Sequence, residues 1–426
     1  MRGLVAVLAL LVVIAAGWLF LLNGDPVAVR LLPGRTANPP LAGALLVAFG
    51  AGAVAAGLLV AARGASRWGE RRRARWAARS AERTAAARDL LWTGAPARAR
   101  ATLLRAASGV PADVDRLTLL AETYLQEGDA DGARALLEDG IGRLGYAPRL
   151  LDLLAEAAQR SGDLRAAVDA LERARLVEPE SPRLARRLRD VLVASARWEA
   201  ALALQGELLL GRATGTAAAD VALERGLRYE AARAETETDP RRAVRRLLAL
   251  AREAPTFVPA WVSAGDVYAR EGRTFLARRA WERGLKRRPA LVLVERLTDL
   301  HTRAGRPERM TRLLRRLRRR HPDDAMLALA LARQLLAQGA LDEAMAALGD
   351  AGASPAADLL RGELERRRGN AVQAAELHAR AAAGALGETA WRCTACRRPA
   401  AAWTAQCPVC RAWDTMAATI ERDGSA

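Results

Sequence analysis

The hydrophobic and polar positions divide the chain into regions of different pattern, and the first of them is apolar. Two runs contain no charged residue, one from Leu4 to Leu22 and one from Leu41 to Ala62. Each is long enough to cross a hydrocarbon core of about 30 Å as a helix. The pattern therefore predicts two transmembrane helices within residues 1–62. A cleaved signal peptide is the alternative for the first run, because Arg2 precedes it and small residues lie near its end.

Arginine is distributed unevenly on the two sides of the second run. Nine arginines stand within residues 63–88 against two glutamates, whereas residues 23–40 hold two arginines and one aspartate. The positive-inside rule predicts that the N-terminus and the large C-terminal part are cytoplasmic. The arginines of a predicted basic linker over residues 63–80 are Arg63, Arg67, Arg71, Arg72, Arg73, Arg75 and Arg79. Because Trp68 and Trp76 interleave with them, this linker either lies on anionic lipid headgroups or is a solvated helix that only sets the topology.

A helix-breaking turn recurs along the middle of the chain with a period of about 34 residues. Its turn residues are Gly94, Gly128, Gly162, Ala196, Thr238, Gly272, Gly305, Gly339 and Gly369. The interval from Ala196 to Thr238 is longer than the others, and its extra residues coincide with residues 211–216. Five positions after the turn, eight of the nine units have alanine, where a second helix would cross the first closely: Ala99, Ala133, Ala167, Ala201, Ala243, Ala277, Ala344 and Ala374. These helix hairpins resemble tetratricopeptide repeats and predict a superhelical solenoid of about nine units over residues 81–386, of the kind that binds peptides or proteins. With the two membrane helices before it, the predicted fold class is all-α.

All four cysteines lie close together near the end of the chain. Cys393 and Cys396 form one Cys-x-x-Cys knuckle, and Cys407 and Cys410 form a second after a short interval. This spacing predicts a closed, structural four-thiolate site for Zn²⁺ in a small ribbon over residues 389–418. Iron, as in rubredoxin, is the alternative. We favour zinc because rubredoxin-type knuckles usually have glycine after the second cysteine, where this chain has arginine.

Three tryptophans surround the knuckles, namely Trp391, Trp403 and Trp413. A ribbon of about thirty residues has too little core to fold without its metal, so we expect these rings to pack partly inside it and partly against the last repeats. Stacking on nucleic-acid bases is the alternative role.

Charge and composition change this picture little. The formal net charge is +18 and the hydrophobic content is 51%, while aromatic residues make up 4%. Lys286 is the single lysine among the 66 basic residues, so the basic excess is partly what a GC-rich genome produces. The arginine runs over residues 241–246 and 312–320 would suit an acidic or phosphate-bearing ligand, but a solvated helix face is the interpretation we favour. Since no phosphate-binding loop or catalytic constellation is recognisable, we predict that the protein is not an enzyme.

The anchor, the repeats and the cysteine knuckles together resemble the lipopolysaccharide assembly protein B family. The specific part is Cys-Pro-x-Cys-Arg-x-Trp at residues 407–413, which is similar to that family's rubredoxin-like tail. The family normally has one span. The hairpin over residues 1–62, in which residues 20–29 lead through a short loop to the second apolar run, resembles lipopolysaccharide assembly protein A instead. The chain is thus similar to a fusion of the two.

This resemblance implies an adaptor in the bacterial inner membrane. In that family the repeats and tail recruit the deacetylase of the lipid A pathway and present it to the membrane-bound AAA+ protease FtsH, which limits lipopolysaccharide synthesis. Two alternatives stay open: a general scaffold for envelope assembly, and a nucleic-acid-binding protein, which we favour less. The sequence predicts no oligomeric state and does not identify the client protein.

Overall fold

The computed structural model describes residues 11, 13–15, 17–19, 21–22, 25–32, 35–107, 113–210, 218–349, 351–352, 354–385 and 391–419. They form two compact units, Met1–Leu153 and Leu154–Ala426. The helices are α1 (Leu41–Trp92), α2 (Pro96–Ala107), α3 (Val114–Gln126), α4 (Ala130–Leu144), α5 (Pro148–Arg160), α6 (Leu164–Val177), α7 (Pro182–Ala194), α8 (Trp198–Leu210), α9 (Ala218–Ala234), α10 (Pro240–Glu253), α11 (Val258–Arg270), α12 (Thr274–Arg287), α13 (Leu291–Arg303), α14 (Pro307–Arg320), α15 (Ala325–Ala337), α16 (Leu341–Gly349), α17 (Pro355–Arg367) and α18 (Ala371–Ala385). The strands are β1 (Val29–Leu32), β2 (Arg35–Ala37), β3 (Trp391–Cys393), β4 (Pro399–Ala400) and β5 (Met416–Ala418).

The predicted membrane hairpin is only partly described. Within the described residues, the stretch Leu41–Ala61 of α1 is the one helix long and apolar enough to cross a membrane. The predicted first span, residues 4–22, lies partly outside the described residues, and its described positions from 11 onward are helical. The structure therefore supports one of the two predicted spans. Strands β1 and β2 pair antiparallel ahead of α1, with Val29 opposite Ala37, in a segment where the sequence predicted only a loop.

Helix α1 continues from Leu41 to Trp92 without a break. It contains the predicted basic linker, within which Arg79 is exposed. The last turns of α1 pack against α2 and α3 in a small core that includes Ala87, Leu103 and Leu119. One helix thus carries the candidate span, the basic segment and the first half of the first hairpin.

The hairpin turns have the conformation that their glycines favour. The left-handed turn residues have φ between 55° and 88°, and they are Gly94, Gly128, Gly162, Ala196, Gly272, Gly305, Gly339 and Gly369. At Gly128 the amide of Asp129 donates to the carbonyl of Tyr124 at 2.9 Å, a helix-ending hydrogen bond repeated at the equivalent turns. Asp129 then caps α4 by accepting from the Gly132 amide at 2.8 Å. The turn before α10, at Thr238, lacks a left-handed residue.

The residue five positions after each turn is buried in every hairpin. Ala99, Ala133, Ala167, Ala201, Ala243, Ala277, Met310 and Ala344 are 0% exposed, and Ala374 is 3% exposed. In the second unit, the crossing residues Ala277, Met310 and Ala344 belong to one apolar core that runs from α9 to α17. This core also takes in residues of the ribbon, namely Trp391, Cys393, Cys407, Met416 and Ala418. The extra residues 211–216 lie outside the described part of the chain.

The ribbon is a three-stranded antiparallel sheet in the order β4-β3-β5. Trp391 lies opposite Ala400 on one side and Ala418 on the other. The chain as described is therefore mostly helical, with a small sheet at each end, rather than strictly all-α.

Candidate metal centre

The two knuckles have the same backbone geometry. In the first, the Arg397 amide donates to the Cys393 carbonyl at 2.9 Å, and in the second the Arg411 amide donates to the Cys407 carbonyl at 2.9 Å. Each knuckle also closes through its first cysteine, whose amide donates to the carbonyl of Arg398 or Ala412. These turns bring both cysteines of a knuckle to the same side of the chain.

The four sulfur atoms cluster as a metal site requires. All lie within 4.8 Å of one another, and the Sγ–Sγ distances are 3.6 Å for Cys393–Cys410 and 3.7 Å for Cys396–Cys407. With metal–sulfur bonds of about 2.3 Å, a tetrahedral site places its sulfur atoms about 3.8 Å apart. The arrangement therefore fits a metal ion, and four thiolates would leave no open position for a substrate.

The pKa values of the thiols also favour a bound cation. Burial raises the pKa of Cys393, but Thr415 Oγ1 and nearby backbone amides outweigh burial and lower it to about 6. The Ala412 amide lowers the pKa of Cys410, yet burial and the neighbouring sulfur atoms raise it to about 12. Burial also raises the pKa of Cys407, but hydrogen bonds from the amides of Cys410 and Val409 likewise outweigh burial and lower it. Ionising Cys410 beside these sulfur atoms is costly, so four thiolates need a compensating cation.

The sequence favoured zinc over iron because arginine replaces the knuckle glycines, and the structure removes this reason. Arg397 and Arg411 have φ 61° and 58°, the left-handed conformation that a knuckle glycine would adopt. Arginine at these positions therefore does not indicate a different knuckle. The donor set fits either metal.

An ion pair attaches the ribbon to the repeats. The Arg288 guanidinium, just after α12, donates two hydrogen bonds to the Asp414 carboxylate, at 2.8 and 2.7 Å. Burial raises the pKa of Asp414 to about 6, although Arg288 and the Val258 amide oppose it. Because a buried carboxylate needs its partner, this pair holds the ribbon in one position.

Trp413 makes the second attachment, to α9. A Cβ on Gly226 would lie 2.4 Å from the Trp413 ring, so only glycine allows this contact. The Trp413 indole N–H donates to Glu230 at 3.2 Å, and Glu230 also accepts from Arg233 at 2.7 Å. The expectation that Trp413 packs on the last repeats is therefore wrong, since the ribbon returns to a hairpin much earlier in the chain.

The other two tryptophans line a cavity between ribbon and repeats. Trp391 is 6% exposed and Trp403 is half-buried. The cavity has a volume of about 640 Å³ and is also lined by Arg288, Val292 and Met326. Trp391 is therefore largely enclosed and is not presented as the open stacking platform expected for nucleic acid.

Sequence reasoning identified the four cysteines but not the residues that position them. Arg288, Asp414 and Glu230 carry no local pattern that marks them. A glycine inside a helix is only a weak signal of close approach, because a Cβ would clash at Gly226 but would meet nothing within 4 Å at Gly142 or Gly206. Of the membrane-proximal arginines, Arg63, Arg67, Arg71, Arg72, Arg73 and Arg75 lie on the α1 backbone, and their side chains are outside the described part.

No family model and no curated protein matches the sequence. Among solved structures, a tetratricopeptide repeat protein from Parabacteroides merdae is 19% identical, with 57% of this chain and 94% of that chain covered and a TM-score of 0.27. YrrB, a TPR protein with an unusual peptide-binding site, is 15% identical over 45% of this chain and 96% of its own, with a TM-score of 0.31. The TPR2AB domain of yeast Sti1, in its pHSP90 complex, is 13% identical over 72% and 99%, with a TM-score of 0.30.

Proposed function

We propose that the protein is a membrane-anchored adaptor that binds protein segments through its repeats. The observation that carries this proposal is a groove of about 910 Å³ along α13, α15 and α17, the first helices of three successive hairpins. Leu291, Leu329 and Leu359 are among its apolar residues, and Glu295 and Arg333 are among its charged ones. Apolar walls with a few polar groups are typical of binding sites, and Leu359 is 56% exposed in this groove.

The metal ribbon has a supporting role in this proposal. It packs on α9 and next to α12, and it shares its core with the hairpins that form the groove. A closed thiolate site, filled by zinc, would fix the ribbon and thereby the curvature of the neighbouring hairpins.

The stretch Leu41–Ala61 supplies the anchor in this proposal. We further propose that residues 4–22 form a second span and that the repeats face the cytoplasm of a bacterium, at its inner membrane. The nine arginines after the second run support this orientation. Anchoring raises the effective concentration of the adaptor for any membrane-bound partner without a new contact.

The client that the sequence resemblance favours is the lipid A pathway deacetylase, delivered to FtsH. The layout of the chain and the Cys-Pro-x-Cys-Arg-x-Trp tail support this finer assignment. Depleting the protein should then raise the deacetylase level and the lipid A content of the cells. Unchanged levels of both would remove this client from the proposal.

Crosslinking from the groove tests the adaptor function itself. A photoreactive amino acid replaces Leu359 in the full chain in membranes, and the matched control replaces Val372, which is 77% exposed on the outer helix α18. We expect protein adducts from position 359 and few from position 372. Adducts with the deacetylase or FtsH support the finer function, whereas adducts with another envelope complex favour a general scaffold. Equal yields at both positions would contradict the groove as the binding surface.

A further inference from the structure

Basic residues recur at equivalent positions on α12 and α14, the second (outer) helices of two successive hairpins. When the chain is aligned on the turn residues Gly272 and Gly305, the same four later positions are basic in both hairpins. On α12 they are Arg279, Arg283, Lys286 and Arg287. On α14 they are Arg312, Arg316, Arg319 and Arg320. Equivalent positions of successive repeats face the same way, so the two sets belong to one surface.

The preceding outer helix, α10, extends this surface. Arg245 and Arg252 occupy two of the four positions after Thr238. We call the ten residues at these positions on α10, α12 and α14 the arginine face. All ten are exposed, and on α14 they lie opposite the buried residues Met310, Leu314 and Leu317.

The arginine face differs from the runs that the sequence first suggested. Arg242 and Arg246 pair with Glu235, and Arg315 pairs with Glu343, so these members of the sequence runs are neutralised. No ion pair or hydrogen bond to another described residue involves the ten side chains of the arginine face. Their charge is therefore available to an external anion.

Composition alone does not explain this surface, because the same positions in other hairpins are different. After Gly128 they are Ala135, Asp139, Gly142 and Arg143. After Ala196 they are Ala203, Glu207, Leu210 and Gly211. An arginine-rich genome would place arginine at these positions throughout the array. Favourable interaction with the helix dipole accounts only for residues in the last turn, and Arg279, Arg283, Arg312 and Arg316 lie before it.

The chemistry of the arginine face favours a ligand whose phosphate groups are arranged in a plane. Guanidinium groups bind phosphate oxygens in pairs. Single-stranded nucleic acid would in addition need exposed aromatic rings, but Phe275 is the one exposed aromatic residue described on these three helices, and Arg278 lies 5.3 Å from its ring centre. An acidic peptide seated in a groove is not favoured, because the described cavities do not include these residues as a set.

We propose that the arginine face binds the anionic headgroups of a phospholipid membrane. This inference rests on the anchoring part of the proposed function, since a tethered chain meets lipid at high effective concentration. Each basic residue near an anionic surface adds to the attraction, so the arginine face as a whole would hold the repeats on the membrane.

A vesicle-flotation assay tests this proposal with the full chain held in phosphatidylcholine nanodiscs. The nanodiscs are mixed with vesicles of phosphatidylcholine alone or with added phosphatidylglycerol. We expect flotation only with phosphatidylglycerol, weakening as salt increases. Replacing Arg279, Arg283, Arg312 and Arg316 by Gln should lower the apparent association constant by roughly a hundredfold or more.

The matched control replaces four exposed arginines that lie at other positions of their repeats, Arg165, Arg186, Arg197 and Arg306, by Gln. Its net charge is the same, and we expect a decrease of less than about tenfold. Equal losses in the two variants, or equal flotation with both vesicles, would overturn the proposal. Tighter binding of a single-stranded RNA, lost in the arginine-face variant, would assign the surface to nucleic acid instead. A chain that does not enter nanodiscs would contradict the anchor, whereas a chain that enters them but does not float would contradict only the lipid contact.

Discussion

The repeat array and the ribbon both consist of short elements that cannot cover their own apolar side chains, and they are completed in different ways. In the array, each turn and each buried crossing residue recurs from one repeat to the next, so a hairpin is covered by its neighbours in the chain. The ribbon is completed by four thiols and by contacts with residues 126 and 183 positions away. Each hairpin of the array therefore depends on its neighbours in the chain, whereas the ribbon depends on a few distant groups.

Removing the metal ligands should produce the largest difference between the two regions. We expect the double substitution Cys393→Ser and Cys396→Ser to abolish metal binding and unfold the ribbon, because a structural zinc site contributes about 10–16 kcal/mol of binding free energy. The helical array should remain folded. Metal content, far-ultraviolet circular dichroism and protease cleavage within residues 391–419 measure these effects.

The knuckle residue Ala395 provides the control for that experiment, since Ala395→Ser adds the same hydroxyl without removing a ligand. Metal content equal to that of the unsubstituted chain in the double variant would show that the cysteines do not form the site. Loss of most of the helical signal would show that the array depends on the ribbon for its folding.

A cavity in the array should have the next largest effect. Leu297 of α13 is 0% exposed, and Leu297→Ala should lower the free energy of unfolding by about 2–5 kcal/mol. Leu176→Ala is the control, because Leu176 is 81% exposed and should change stability by less than about 0.5 kcal/mol. Urea unfolding followed by circular dichroism measures both, and similar midpoints for the two variants would argue against the stacked core.

The ion pair between ribbon and repeats should have an intermediate effect. Arg288→Ala leaves the Asp414 carboxylate, which is 15% exposed, without its partner, and we expect a loss of about 1–3 kcal/mol in ribbon stability. Adding Asp414→Asn should restore part of this loss, because the unpaired charge is then gone. The control is Arg287→Ala, which removes the neighbouring exposed arginine of the arginine face. Hydrogen exchange of the amides within residues 391–419 reports the change, and equal exchange in the Arg288 and Arg287 variants would refute the role of this ion pair.

These two regions also explain what the sequence could predict. The hairpins were found from the sequence because a turn needs a residue that accepts a left-handed conformation, and eight of the nine predicted turn positions adopt it. The four cysteines were found because metal geometry demands their spacing. Both are local requirements, and both leave a pattern along the chain.

The contacts that position the ribbon leave no such pattern. The Arg288–Asp414 pair depends on how the superhelix brings α12 beside the ribbon, and arginine is too common in this chain for one residue to stand out. The site of Trp413 was misplaced for the same reason, since chain order suggests the last repeats as its neighbours. Only the small size of Gly226, inside α9, hinted at a close approach.

The smallest predicted effects come from substitutions at residues with left-handed backbone conformation, which occur in both the array and the ribbon. Ala196 has φ 55° where Gly162, at the equivalent turn of the preceding repeat, has φ 83°. A non-glycine residue in this conformation costs about 1–2 kcal/mol, partly offset by the greater flexibility of glycine in the unfolded chain. Ala196→Gly should therefore raise the free energy of unfolding by about 0.5–1 kcal/mol, and Gly162→Ala should lower it by about 1 kcal/mol. In the ribbon, Arg397→Gly relieves the same conformation next to a ligand, so its effect should appear as tighter metal binding while the unfolding midpoint of the array stays unchanged. Changes of the same sign in the Ala196 and Gly162 variants would show that turn conformation does not limit the stability of these hairpins.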